Sequence, residues 1–378
     1  MTHYNDLFID EPEPCIEEVI YAYLCCREGK RNNNAVIQFE SNFTENIMEL
    51  YYSIVNRTWK PKSHLCFVVQ TPKAREVWAA QFSDRIIHHV IFNRINERFE
   101  SQWIDTTFAC IKNRGTGGAC DWADRSFRRI TRNYSRRAYG LKLDIHNFFP
   151  SIDRDILFTK LSLKVNEDWL LYLIESVINV DLKKDVHFPG NTKLLHLIEP
   201  HKSLLNSKPH LGLPIGNLTS QFSANEYLND LDQRIVRSGL ARHYGRYVDD
   251  LLIMSTSFNN LTIAHQLVID SLTRLNIKLH PFKHKYHELN HGFDFCGMFF
   301  KTFRKYLRNK TKEIAKSKIC DLSESEESSA TLTSFMSVAR RVNSFRLRTN
   351  WSNIIIDKFN SLFFDERLTK CYHVFKSL

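Results

Sequence analysis

Two adjacent acids interrupt an apolar run in Arg246-Tyr247-Val248-Asp249-Asp250-Leu251-Leu252-Ile253-Met254. Leu251 to Met254 form a continuous apolar block, as expected of a buried strand, and Tyr247-Val248-Asp249-Asp250 ahead of it reads as the turn of a hairpin, where Asp is tolerated. Upstream, Leu141-Lys142-Leu143-Asp144-Ile145 alternates in character. A strand there buries Leu141, Leu143 and Ile145 and shows Lys142 and Asp144 on its other face. The chain thus sets three acids at the ends of two predicted strands.

Carboxylates in such numbers suit hard divalent cations. Phosphoryl transfer asks little covalent chemistry of a protein and much charge neutralisation, which two Mg²⁺ ions about 3.5–4 Å apart supply. Acids flanking apolar strands are ordinarily just solvated strand ends, but three further features support the metal reading. Gly212-Leu213-Pro214-Ile215-Gly216-Asn217-Leu218-Thr219-Ser220-Gln221 reads as a tight loop feeding an amphipathic helix with Phe222, Leu228, Leu231 and Ile235 inward. Leu279-His280-Pro281-Phe282-Lys283 and then Gly292-Phe293-Asp294-Phe295-Cys296-Gly297 set a lysine and an aromatic hairpin downstream. Lys112-Asn113-Arg114-Gly115-Thr116-Gly117-Gly118 reads as a basic, glycine-rich loop suited to phosphate oxygens.

In this order, from about Arg75 to about Gly297, the segments resemble reverse transcriptases. Leu213 to Gln221 is most similar to the diversity-generating retroelement type, and Ala74-Arg75-Glu76-Val77-Trp78-Ala79-Ala80, Asp84-Arg85, His88-His89 and Phe108-Ala109-Cys110 are similar to that family's fingers. The resemblance implies an α+β, right-hand polymerase with an antiparallel palm sheet, mostly helical fingers and a small helical thumb. Residues 1–139 are then fingers, 140–300 palm with a fingers-side insertion at about 160–210, and 301–378 thumb. It implies Asp144, Asp249 and Asp250 as catalytic metal ligands for two Mg²⁺ ions, with Mn²⁺ able to substitute, and counts Ile145 with both the metal and the substrate site.

Phe149, five positions after Asp144, falls where the family's bulky ring screens out a ribose 2′-hydroxyl, so deoxynucleotides are the implied substrate. Lys283 falls where a protonated lysine serves as general acid to the departing pyrophosphate. Lys112 and Arg114 are candidates for triphosphate contacts, although many relatives carry arginine where this chain has Ile111. Ile215 and Gly216 fall beside the nascent base pair. The wider superfamily has glutamine in place of Ile215, and losing that amide leaves shape and pairing to select the nucleotide, a weak discrimination that accompanies error-prone copying of template adenines.

The implied partners are template RNA with its primer or cDNA, dNTPs and a small basic oligomeric accessory protein. Two other readings stay open: a reverse transcriptase serving antiphage defence, making templated, repetitive or untemplated DNA, and a non-catalytic RNA-binding scaffold on a polymerase fold.

Charge agrees with a polyanionic partner. The 378 residues carry a net charge of +10, and from Lys301 to Lys318 eight of eighteen are Lys or Arg against the single acid Glu313, enough to grip a nucleic-acid backbone. Arg340-Arg341-Val342-Asn343-Ser344-Phe345-Arg346-Leu347-Arg348 is a second basic segment. Nine cysteines without a CxxC pair argue against a disulfide framework or zinc ribbon and for a reducing compartment. His280, His284, His287 and His291 have helical spacing, but Pro281 breaks the helix that a zinc site would need. No apolar run reaches the roughly 18 residues of a membrane span, and Met1 to Asp6 lacks the start of a signal peptide, so the chain reads as cytoplasmic without membrane association.

Ile16 to Trp59 has helical periodicity with a break at Lys30 to Asn34. Pro61 precedes a strand at Leu65 to Gln70, and Leu157, Leu161 and Leu170 to Val177 read as helical. Pro189-Gly190-Asn191 is an exposed turn. Ser323-Glu324-Ser325-Glu326-Glu327-Ser328-Ser329 is the clearest linker. The roughly eighty residues after 300 leave little room for a nuclease domain.

Overall fold

The computed structural model describes residues 13–70, 73–184, 186–323, 326–359 and 361–373. About half of the chain, 52%, is helical and its sheets are small and antiparallel, which makes it an α+β protein. Met1 to Asp6 lies outside the described residues.

Helices α1 (Ile16–Arg27), α2 (Asn34–Glu40) and α3 (Phe43–Val55) open the chain, with the expected break closed by Asn33, whose side chain caps α2 by accepting the Ala35 N–H at 2.9 Å. Strand β1 (Leu65–Val69) pairs with β2 (Arg75–Ala79), Cys66 opposite Trp78. Next come α4 (Phe82–Glu100), α5 (Gly115–Ile130), β3 (Tyr139–Asp144), α6 (Phe148–Ser151), α7 (Arg154–Ser162) and α8 (Asp168–Ile178). Three short 3₁₀ turns follow, and Gly190 sits in an exposed bend as expected. The chain continues through α9 (Leu218–Arg237), β4 (His243–Tyr247), β5 (Asp250–Ser255), α10 (Phe258–Arg274), β6 (Lys285–Glu288), β7 (Phe293–Phe295), β8 (Met298–Lys301) and β9 (Arg304–Leu307). It closes with α11 (Asn309–Asp321), α12 (Glu326–Arg340), α13 (Phe345–Lys358), β10 (Leu362–Phe364) and β11 (Cys371–His373).

These elements form two compact units. The first comprises the chain up to Cys110, Asp144–Ser238 and Gln266–Phe282; the second comprises Ile111–Leu143, Gly239–His265 and the chain from Lys283 onward. The first unit is built around α4, which packs on α1, α8 and α9 and buries Ile86, Ile87, Val90, Ile91, Ile95 and Phe99. A helix apolar on so many sides belongs inside a core. From α9, Phe222 enters an aromatic cluster with Phe92, Phe99 and Trp103 at centroid distances of 6.3, 5.2 and 5.4 Å, and Leu228, Leu231 and Ile235 are wholly buried as the periodicity predicts.

Several buried polar groups inside this unit are paired. His88 of α4 shares a 2.7 Å hydrogen bond with Thr219 of α9, and burial pushes its pKa down to about 3. Asp84 accepts the Lys62 N–H at 2.7 Å; burial outweighs that bond and lifts its carboxyl to about 6. Glu226 takes the Trp103 indole N–H at 2.9 Å and the Lys164 ammonium at 2.6 Å.

The second unit holds a four-stranded sheet in the order β4-β5-β3-β6. β4 and β5 are a hairpin, and β6 runs antiparallel to β3 with Tyr139 opposite Glu288. Helix α5 covers β4 and β5 so closely that a Cβ added at Gly245 would lie 2.6 Å from the Trp122 ring. A second sheet, β7-β8-β9, turns at Cys296 and Gly297, both at positive φ of 46° and 81°, the backbone of a two-residue type I′ hairpin. Phe293 and Phe300 stack across it at 5.0 Å.

Two expectations are corrected. Lys112 to Gly118 is not a glycine loop throughout, because Gly115, Gly117 and Gly118 form the first turn of α5; burial of Ala119, Cys120, Trp122 and Ala123 along that helix outweighs glycine's entropic cost. The linker read at Ser323 to Ser329 is also shorter. Glu326 already belongs to α12, while Glu324 and Ser325 lie outside the described residues.

Candidate active site

The β4–β5 hairpin sets Tyr247 opposite Asp250 and leaves Val248 and Asp249 as a two-residue turn. Val248 takes φ 56°, a left-handed conformation that costs a β-branched residue and recurs where a site holds its backbone under strain. Arg246, wholly buried, steadies the turn by donating from Nη1 to the Val248 carbonyl at 3.1 Å. Asp249 and Asp250 are half-buried. Leu251 to Met254 behind them are inaccessible, as expected for a buried strand.

Strand β3 neighbours β5 in the sheet and ends at Asp144. Beyond that point the chain runs beside residues 278–280: the His280 N–H donates to the Asp144 carbonyl and the His146 N–H to the Lys278 carbonyl, each at 2.8 Å. The Asp144 carboxyl is half-buried, and the Ile145 side chain, 1% exposed, packs inward, so only the Ile145 backbone can meet a ligand.

Lys142 is the group that the sequence reading passed over. Its ammonium lies 2.7 Å from Asp294 and 4.0 Å from Asp250. Burial alone would raise the Asp294 carboxyl, but the Lys142 hydrogen bond and charge, with Arg308 3.3 Å away, hold it below the usual carboxylate range. The only sequence signal was Lys142's place two residues before Asp144, on the same strand face.

In the first unit, the loop before α9 is zipped onto α6. Leu213 N–H donates to the Phe149 carbonyl at 2.9 Å and Gly212 N–H to the Ile152 carbonyl at 2.8 Å. On its other side, Trp78 N–H donates to the Ile215 carbonyl at 2.8 Å, and the Ala80 N–H donates to the Asn217 side chain at 3.3 Å. Gly216 sits at φ 130°, where an added Cβ would lie 2.7 Å from the Trp78 carbonyl oxygen. Glycine is therefore required here. Phe149, Ile215 and Gly216 are thus brought together by backbone bonds, with Phe149 and Ile215 half-buried and Gly216 exposed.

In the second unit, Lys112 is exposed and Arg114 half-buried immediately ahead of α5, and Lys283 is exposed between α10 and β6. The C-terminal basic segment is partly spent inside the protein. Arg348 donates to the carbonyls of Arg367 and, at 3.0 Å, Leu368, while Arg341 pairs with Asp121 at 3.4 Å over the Gly117 turn.

The sequence profile of the reverse transcriptase (RNA-dependent DNA polymerase) family matches residues 60–300, nearly two-thirds of the chain. The chain belongs to the reverse transcriptase family. Membership carries the general activity, RNA-directed nucleotidyl transfer to DNA, with a nucleic-acid template and dNTPs as its substrates. No curated protein matches this reverse transcriptase in sequence.

Family members depend on divalent metal. Among the described residues no three His, Cys, Asp or Glu side chains are gathered closely enough to hold an ion, the His280 to His291 series included. The donor chemistry nevertheless fits, since hairpin and strand end offer carboxylates alone, the oxygen ligands that Mg²⁺ prefers. All nine cysteines are free thiols, and no described helix is long and apolar enough to cross a membrane.

Proposed function

We propose that this reverse transcriptase extends a 3′-hydroxyl with deoxynucleotides on an RNA template, using Asp144, Asp249 and Asp250 as one carboxylate group for two divalent cations. The observation that carries this reading is the β4–β5 hairpin: a buried arginine and a left-handed valine hold two acids at the head of the strand that neighbours β3. Mg²⁺ held by these acids would supply charge neutralisation at the triphosphate and activation of the hydroxyl.

The other residues bind and select. The Phe149 ring excludes a ribose 2′-hydroxyl, Lys112 and Arg114 take triphosphate oxygens, and Lys283 donates a proton to the leaving pyrophosphate. Residues near the catalytic hairpin form the palm, with the N-terminal helices as fingers and α11 to α13 as thumb. Ile215, whose carbonyl is committed to Trp78, offers an apolar surface to the nascent pair. That weak selection favours the diversity-generating retroelement type, error-prone at template adenines and assisted by a small basic accessory protein in the cytoplasm.

The test is primer extension on a heteropolymeric RNA with four dNTPs and Mg²⁺, with every product sequenced. Asp249→Asn should lower extension by about 10²-fold or more, and Ile215→Gln should reduce misincorporation opposite adenine while leaving extension measurable. Full extension by Asp249→Asn would overturn the carboxylate assignment. An unchanged error spectrum in Ile215→Gln would overturn the selection argument.

A further inference from the structure

The first unit holds a cavity of about 660 Å³ that the polymerase reading does not use. Asn229, Gln233 and Arg237 stand at successive four-residue steps on one face of α9, and Ser271 and Arg274 close it from α10. Twelve residues of α9 separate Asn229 from Asn217, so the cavity begins roughly 18 Å along the helix from the Gly216 loop.

Most polar groups around it are already satisfied. Gln233 donates to the Gln102 carbonyl at 2.8 Å and Arg234 to the Ser271 hydroxyl at 3.0 Å. Lys164 is held by Glu226, and Asp230 by Lys160. Three groups are left over. Arg237 and Arg274 are exposed and form no ion pair among the described residues. Asn229 is only 6% exposed, and its Oδ1 meets no hydrogen-bond donor. The two arginines sit in the last turns of α9 and α10, where any cation is favourable, but that does not account for the Asn229 oxygen. Buried acceptors without a donor are uncommon.

We propose that this cavity is a ribonucleotide site. The phosphate lies on the guanidinium groups of Arg237 and Arg274, and a hydroxyl or amino group of the same nucleotide donates to Asn229 Oδ1. The volume is in the range of small-ligand pockets. A ribonucleotide within an RNA chain and a free nucleotide offer the same chemistry. The site is independent of the carboxylates, so its failure and theirs are read separately.

The test uses the full-length protein with a 4-thiouridine-labelled oligouridylate as photocrosslinking probe, UMP as competitor, and filter binding of the same oligonucleotide across a salt series. Cross-links to peptides containing Asn229 or residues 271–275 support the proposal. If millimolar UMP abolishes them, the source is a free nucleotide; if only the oligonucleotide competes, it is RNA. Arg237→Glu with Arg274→Glu should weaken oligonucleotide binding about tenfold and flatten the slope of log affinity against log salt by about 0.7, the release expected for one single-strand phosphate contact. Primer extension on a saturating short template should be unchanged. Wild-type cross-links confined to other peptides would overturn the proposal, even if the double variant failed to fold. An unaltered affinity and salt slope in a folded double variant would also overturn it.

Discussion

Replacing Gly216 by Ala tests how the loop before α9 is held. The new methyl would begin 2.7 Å from the Trp78 carbonyl oxygen and 3.1 Å from Val77 Cγ1, on a residue at φ 130°. The backbone strain is of order 1–3 kcal/mol. Relieving the clash draws the loop away from β2 and weakens the Trp78–Ile215 and Ala80–Asn217 hydrogen bonds, each worth about 1 kcal/mol. The loss comes to roughly 2–4 kcal/mol. At about 2.1 cal/mol/K per residue, a chain of 378 residues unfolds with an entropy near 0.8 kcal/mol/K, so the melting temperature should fall by roughly 3–5 °C. Thermal unfolding followed by circular dichroism reads this directly. Primer extension should fall with it, because the displaced segment carries Ile215. A variant melting within about 1 °C of wild type and extending normally would refute the claim that close backbone approach is what demands glycine.

Two buried titrating groups on α4 oppose each other in acid. The folded pKa of His88 is lowered to about 3, so its stabilisation is present above the unfolded value and drains away as pH falls below about 6.5, by roughly 2–3 kcal/mol between pH 6.5 and 4.5. Asp84 is raised to about 6, and its stabilisation grows over the same interval by roughly 2 kcal/mol. Urea denaturation should therefore show a shallower acid loss in His88→Gln and a steeper one in Asp84→Asn; parallel pH profiles would contradict both. Gly245→Ala overpacks against Trp122 and should cost about 1–3 kcal/mol. Adding Trp122→Leu should return at least about 0.5 kcal/mol of coupling in a double-mutant cycle. Lys142→Met removes the charged bond to Asp294 and should destabilise by about 1.5–3 kcal/mol at neutral pH. Because the Asp294 carboxyl is held low, that deficit should shrink as pH falls through its folded pKa.

The elements legible in the sequence were those written in local periodicity. Leu251 to Met254, the Phe293 to Phe300 hairpin and the inward stripe of α9 all stand where alternation or helical spacing puts them. The acids could be read because they break such patterns. What stayed hidden depends on partners far away along the chain. Lys142 meets Asp294 across 152 residues, and Arg246 shows its purpose only once the hairpin folds over it. The glycines of α5 were misread for the same reason. At Gly117 an added Cβ would lie 2.3 Å from the Arg341 guanidinium, so this residue clears space for a side chain more than two hundred positions later rather than loosening a loop.

The interleaving of the two units imposes a timetable on synthesis. Strand β3 emerges with Leu141 and Leu143 ready to be buried, yet its first sheet neighbour, β5, begins at Asp250, 106 residues after Asp144, roughly 5–20 s at ordinary translation rates. The first unit waits likewise for residues 266–282. Until β5 emerges, the ribosome displays an apolar strand without a sheet neighbour, ending in Asp144. The nascent reverse transcriptase is thus a standing client for chaperones, and its yield in a cell depends on how long that strand can be shielded from pairing with a neighbour.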